Sequence, residues 1–224
     1  LGFINSLPAQ QRGKLLRAVN VKYVVSFHPL DVKGLELVRE FPEHYSRLYE
    51  VTDPVPRAYV AARAIYDPDA KSTLERMASD SFDPLREVIL DAPIHLGTPR
   101  GRFQGDTEIQ LYENNRVQIE ARLNEPGVLV LTDAYYPGWK VFVDGQEGKI
   151  LRANYLFRGV ELPAGIHRVE FVYDPLSFKL GLTISALTAA FMIAVPLVGM
   201  IRRKRRERES AGETPDEATH AVSD

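Results

Sequence analysis

Along the C-terminal half of the chain, apolar and polar positions alternate with the period of extended strands. Val117, Ile119, Ala121 and Leu123 interleave with Gln118, Glu120 and Arg122, which predicts a half-buried strand over 117–123. Residues 127–132 are nearly all apolar and fit a central strand covered on both faces. A short run over 140–143 ends at Asp144-Gly145, a favoured tight-turn pair. Residues 157–162 and 166–173 flank Pro163-Ala164-Gly165 as the arms of a hairpin. In the second arm Val169, Phe171 and Tyr173 share a face opposite Arg168 and Glu170. Short strands at this spacing predict a β-sandwich over 101–179.

The N-terminal part is mixed. Residues 10–19 read as a helix, and 21–27, 47–51 and 57–65 as strands. Asp69 is placed to cap a helix over 70–79, its carboxylate accepting from free amides of the first turn. Asp-Pro pairs at 53–54, 67–68 and 83–84 punctuate this half as turns. A boundary is expected near 94–104, where Gly, Pro and Arg replace the apolar pattern. The predicted fold class is mainly β (α+β), with a small α/β portion over 1–100 preceding the sandwich.

At residue 180 the pattern changes. Residues 180–201 carry no charge, and as a helix these 22 residues span roughly 33 Å, enough for a hydrocarbon core of about 30 Å. The stretch is apolar on every side, unlike a core helix with one apolar stripe. Gly181, Thr183, Ser185, Thr188, Pro196 and Gly199 are compatible with a membrane helix, in which Pro196 should make a kink or a packing site. Arg202, Arg203, Lys204, Arg205, Arg206 and Arg208 follow, opposed only by Glu207. Positive residues remain on the cytoplasmic side, which places the C-terminus inside and residues 1–179 outside the membrane; contact with anionic lipid headgroups is a further expectation. The strand preceding the helix should hold the sandwich near the bilayer surface. Residues 202–224 form a basic and then acidic cytoplasmic tail, its end expected to be disordered.

Composition sharpens this picture only when divided. The 224 residues have a net charge of −2 and no cysteine, which excludes disulfides, thiolate metal sites and a cysteine nucleophile. Residues 1–179 hold 22 basic and 24 acidic side chains, a balanced surface that argues against a nucleic-acid partner. The chain starts at Leu1 and not Met, so a segment of a longer membrane protein is expected, with a tail-anchored protein as the alternative.

The chain has no nucleotide-binding Gly-rich motif and no Gly-x-Ser-x-Gly elbow. His28, His44, His95, His167 and His220 are scattered, and His167, among alternating apolar residues, reads as structural. No catalytic residue, metal site or cofactor is implied. The most distinctive segment is 132–145, which gathers Asp133, Tyr135, Tyr136, Trp139 and Asp144 around a Pro-Gly turn. Aromatic faces and carboxylates of this kind suit a sugar. The same residues also suit a turn anchored in the core by Trp139, or an aromatic belt at a membrane interface. Arg158 is a candidate for the same end of the sandwich.

Several segments together resemble a known family. Val21-Lys22-Tyr23-Val24-Val25-Ser26, Pro56-Arg57-Ala58-Tyr59-Val60, the segment 135–144, Asn154 with Phe157-Arg158-Gly159-Val160, Pro163-Ala164-Gly165-Ile166-His167 and Tyr173-Asp174-Pro175 are similar to the C-terminal region of the bacterial YfhO-like membrane proteins. The resemblance implies a large polytopic protein of the GT-C glycosyltransferase type. Such a protein transfers sugar from a polyprenyl-phosphate donor to a cell-envelope glycan outside the membrane. Its catalytic carboxylates belong to an early loop, so none is assigned here. The chain would then be the non-catalytic extracytoplasmic accessory domain and last membrane helix. Its implied partners are the lipid bilayer, upstream membrane helices and an envelope glycan or lipid-linked sugar. An envelope carbohydrate-binding or scaffold module without transferase activity is the alternative.

Overall fold

A computed structural model describes residues 7–95, 97 and 101–212. Two compact units are formed, Leu1–Asp174 and Pro175–Asp224. In the first, the helix α1 (Ala9–Ala18) leads into a three-stranded antiparallel sheet, in which β3 (Ser46–Val51) lies between β1 (Tyr23–Ser26) and β2 (Leu35–Phe41).

The run expected as one strand over 57–65 bends at Ala62 into β4 (Ala58–Ala61) and β5 (Arg63–Tyr66). Asp69 caps α2 (Ala70–Ala78), accepting from the Ser72 amide at 2.7 Å. That helix is the crossover to β6 (Glu87–Leu90), which pairs parallel with β5.

Eight further strands follow: β7 (Gly105–Tyr112), β8 (Arg116–Leu123), β9 (Gly127–Ala134), β10 (Trp139–Val143), β11 (Gln146–Gly148), β12 (Leu151–Ala153), β13 (Phe157–Leu162) and β14 (Gly165–Tyr173). One sheet has the order β11-β10-β14-β8-β7, the other β4-β9-β13-β12-β6-β5. The edge strands of the second sheet, β4 and β5, are separated in sequence only by Ala62. The sheet therefore curls back on itself. Strands from before residue 100 share it with strands from after.

The expected alternation in β8 is realised: Val117, Ile119, Ala121 and Leu123 are buried. They meet Leu129, Leu131, Val160, Leu162, Val169 and Phe171 between the two sheets. The opposite face of β9, Val128 and Val130, joins Tyr59, Val88, Leu90 and Phe157 inside the curl. The apolar run over 127–132 is thus a central strand buried on both sides, as its composition requires. Burial of a side chain such as Phe171 contributes roughly 1.5–3 kcal/mol.

The second unit contains α3 (Leu176–Gly212), whose segment Leu176–Glu207 is long and apolar enough to cross a membrane. All side chains over 176–207 are exposed, so this is no core helix. The Thr183 and Thr188 hydroxyls donate to the carbonyls of Lys179 and Ile184, at 2.8 and 2.9 Å, and so bring no unsatisfied donor into an apolar medium. The helix continues through Pro196, which offers no N–H to the carbonyl four residues earlier. Residues 209–212, expected in a disordered tail, complete its last turn; 213–224 lie outside the described residues.

Candidate functional site

The site starts from an irregularity in pairing. β13 places Phe157 opposite Ala134 but Arg158 opposite Leu131, so β9 carries two extra residues, Thr132 and Asp133. A bulge of this kind re-aims side chains. Thr132 holds it in place: its amide and hydroxyl both donate to the Arg57 carbonyl, at 2.8 and 3.1 Å, and Asn20 Nδ2 donates to its hydroxyl.

Arg158 shares a strand face with Val160 and Leu162 and is therefore directed between the sheets, where only 4% of it is exposed. Its Nε donates to the Ala134 carbonyl at 3.2 Å and its Nη2 to Asp133 Oδ2 at 3.4 Å. The guanidinium carbon lies 3.9 Å from the Trp139 ring centre and 5.5 Å from that of Phe171. Nη1 has no hydrogen-bond partner among the described residues. Burial pulls the Arg158 pKa below its ordinary value, against the opposing pull of Asp133. Asp133 in turn accepts from the Tyr112 hydroxyl, 3.2 and 3.1 Å from its two oxygens. Burial, and then the Asp133 charge, push the Tyr112 phenol up. Arg57 stacks 4.6 Å from the Tyr112 ring centre, and Trp139 leans on Tyr173 at 5.3 Å.

Asp133, Trp139 and Arg158 are thus brought together, and the adjacency expected for Arg158 is present. Arg57, Tyr112 and Phe171 complete the group. Nothing in their local spacing marks them, because they arrive from β7, β14 and the residue before β4. Tyr135 and Tyr136 lie at the same strand ends but face outward, 42% and 63% exposed. Asp144 is elsewhere. It occupies the far end of β10, in the turn to β11, where Asp144 and Gly145 both have positive φ. There its carboxylate contacts His167 Nδ1 at 2.7 Å and accepts from the Arg168 amide at 2.8 Å. Its pKa is held below the usual carboxylate value, chiefly by His167. His167 Nε2 faces the Pro163 carbonyl at 3.2 Å, which makes this histidine a structural one.

Chemically, the Arg158 group is a brace: a buried cation between aromatic faces, balanced by a carboxylate that a phenol also supports. Among the described residues, no three His, Asp or Glu side chains are gathered to hold a metal ion. Arg202, Arg203, Lys204, Arg205 and Arg206 are helical and exposed, and at 3.6 residues per turn they surround α3 with charge on all sides.

The fold is β-rich, and its C-terminal helix is long and apolar enough to cross a membrane. Residues 103–185 match the family described as "Bacterial membrane protein YfhO". A stretch of 94 residues is 28% identical to the protein "Uncharacterized protein YfhO" of Bacillus subtilis (strain 168), covering 42% of this chain and 10% of that protein. No solved structure matches. Over these residues the chain is similar to that family, and the matched stretch includes strands β7 to β14 and the first turns of α3.

Proposed function

We propose that the chain is the extracytoplasmic accessory domain and membrane anchor of a polytopic bacterial membrane protein that modifies cell-envelope glycan, using a polyprenyl-phosphate-linked sugar as donor. The observation that carries the orientation is the charge step at the end of the span, where 22 uncharged residues give way to Arg202, Arg203, Lys204, Arg205 and Arg206. A helix ringed by five cations keeps that end in the cytoplasm. The domain is non-catalytic in this reading, since the polar side chains of the Arg158 group engage one another. Its role is to support the membrane portion that carries out the transfer. The sequence division into a portion over 1–100 and a sandwich over 101–179 then describes two stretches of one supporting body.

An envelope scaffold module without transferase activity is the second reading, favoured by the closed interior of the Arg158 group over an open sugar cleft. Of the candidate glycan contacts, Tyr135 and Tyr136 keep open faces.

These 224 residues contain no cysteine, so one introduced among them adds a defined labelling position, with the unsubstituted protein setting the background. In intact bacteria producing the native membrane protein, a membrane-impermeant maleimide should label Gln146→Cys. Ser223→Cys should react only after lysis. The reverse pattern would sink the extracytoplasmic assignment and the transferase reading with it.

A further inference from the structure

The bulged end of the sheets has a rim that the brace leaves open. Tyr135 and Tyr136 follow β9, and Tyr155 and Leu156 form the turn between β12 and β13, 43% and 45% exposed. The Tyr135 amide donates to the Leu156 carbonyl at 2.6 Å, so the two segments are neighbours. Tyr155 holds a positive φ of 71°, a conformation that a bulky side chain adopts only at a cost. Asn154 fixes that turn from within: its Oδ1 accepts from the Ile89 amide at 2.9 Å and its Nδ2 donates to the Tyr59 hydroxyl at 3.0 Å. Three exposed tyrosines and a leucine are therefore presented on rigid backbone.

What covers this rim follows from where the chain goes next. The Asp174 amide donates to the Gly138 carbonyl at 2.7 Å, so the Tyr136-Pro137-Gly138 turn is bonded to the residue that leaves β14. Only Asp174 and Pro175 separate Tyr173 from Leu176, the first residue of α3. The covalent chain allows at most about 11 Å between the Cα atoms of Tyr173 and Leu176. Four residues into that helix the uncharged run begins. Tyrosine joins an apolar ring to a hydroxyl that stays wet, which is why it collects at the headgroup level of bilayers.

We propose that the rim of Tyr135, Tyr136, Tyr155 and Leu156 rests in the headgroup layer of the phospholipid bilayer. The proposal rests on insertion of α3 and not on the transferase reading, so either can fail alone. It assigns the open tyrosines to lipid.

The test uses the full chain reconstituted in phosphatidylethanolamine–phosphatidylglycerol vesicles containing a lipid with a nitroxide near its headgroup. An environment-sensitive dye is attached to Tyr136→Cys, or to Leu156→Cys should the first variant misfold. A control dye is attached to Gln146→Cys, at the opposite end of β10, roughly 17 Å away by strand length. The rim dye should lose most of its emission to the nitroxide, and the control dye very little. Equal, weak quenching at both positions in chains that float with the vesicles and keep their circular dichroism spectrum would overturn the proposal. A rim dye that ignores the nitroxide but responds to added envelope oligosaccharide would overturn it in favour of a sugar platform.

Discussion

Arg158 brings a charge into a space otherwise filled by Val160, Leu162, Val169 and Phe171. The cost is tolerable because the guanidinium keeps one carboxylate, one carbonyl and two aromatic faces, and because Arg stacks on rings in a way Lys does not. Asp133 is the member that neutralises it. Removing that carboxylate alone leaves a buried cation uncompensated, so Asp133→Ala should destabilise the first unit by about 3 kcal/mol, read as a lowered urea midpoint. Arg158→Met added to Asp133→Ala should recover most of that loss, since no charge then remains inside. If the single variant shifts the midpoint no more than an ordinary surface change, about 0.5 kcal/mol, the brace has no structural weight. The concentration of Asp133, Tyr135, Tyr136 and Trp139 is visible in the sequence, and so is Arg158 nearby. Their division into an inner brace and an outer rim is not, because it depends on the two-residue bulge. Thr132 holds that bulge through the carbonyl of Arg57, 75 residues away.

At the scale of elements, the best-read strands are those whose pattern matches their burial. β8 alternates because one face is covered, and β9 does not because both are. The weaker readings have physical causes. The run over 57–65 is continuous in β-propensity, yet its two halves pair with β9 and β6 on opposite edges of one curled sheet. β6 is four residues long and follows Asp83-Pro84, so its apolar Val88, Ile89 and Leu90 are too brief for any period to declare itself. The β10–β11 hairpin was legible from Asp144-Gly145, but its anchoring to β14 was not. Asp144 supplies that anchor through His167 and the Arg168 amide, and both hold its folded pKa below the ordinary value. A carboxylate shifted in that direction stabilises the fold above its unfolded pKa, near 3.9, and loses its contribution as pH falls through the folded value. Asn tolerates the same left-handed backbone. Asp144→Asn should therefore be less stable at pH 5 by under about 1 kcal/mol, since half of the Asp144 side chain meets solvent. The gap in urea midpoint should narrow at pH 3, below the unfolded value. A gap unchanged between the two pH values would show that the carboxylate charge is not what anchors the hairpin.

For the whole molecule, averaging conceals the property that decides where it resides. The net charge of −2 combines a nearly balanced segment over 1–179, an uncharged span, and a basic collar offset by an acidic end. Each matters only in its place. The span works as a unit because its side chains are apolar around the whole circumference and its two threonine hydroxyls are satisfied by their own helix. Charge near its centre is the direct challenge. On the insertion scale each Leu or Phe replaced by Arg there costs about 3 kcal/mol, so the double variant Leu187→Arg, Phe191→Arg should cost about 6 kcal/mol. When the 224-residue chain is expressed by itself, the parent form should stay in the pellet after carbonate extraction of membranes. The double variant should pass to the supernatant with its sandwich intact, because Leu187 and Phe191 belong to the second unit and the interior of the first does not involve them. Retention of a folded double variant in the carbonate-washed membrane would mean that surfaces other than α3 hold the chain there, and the exposed tyrosine rim would be the first to mutate.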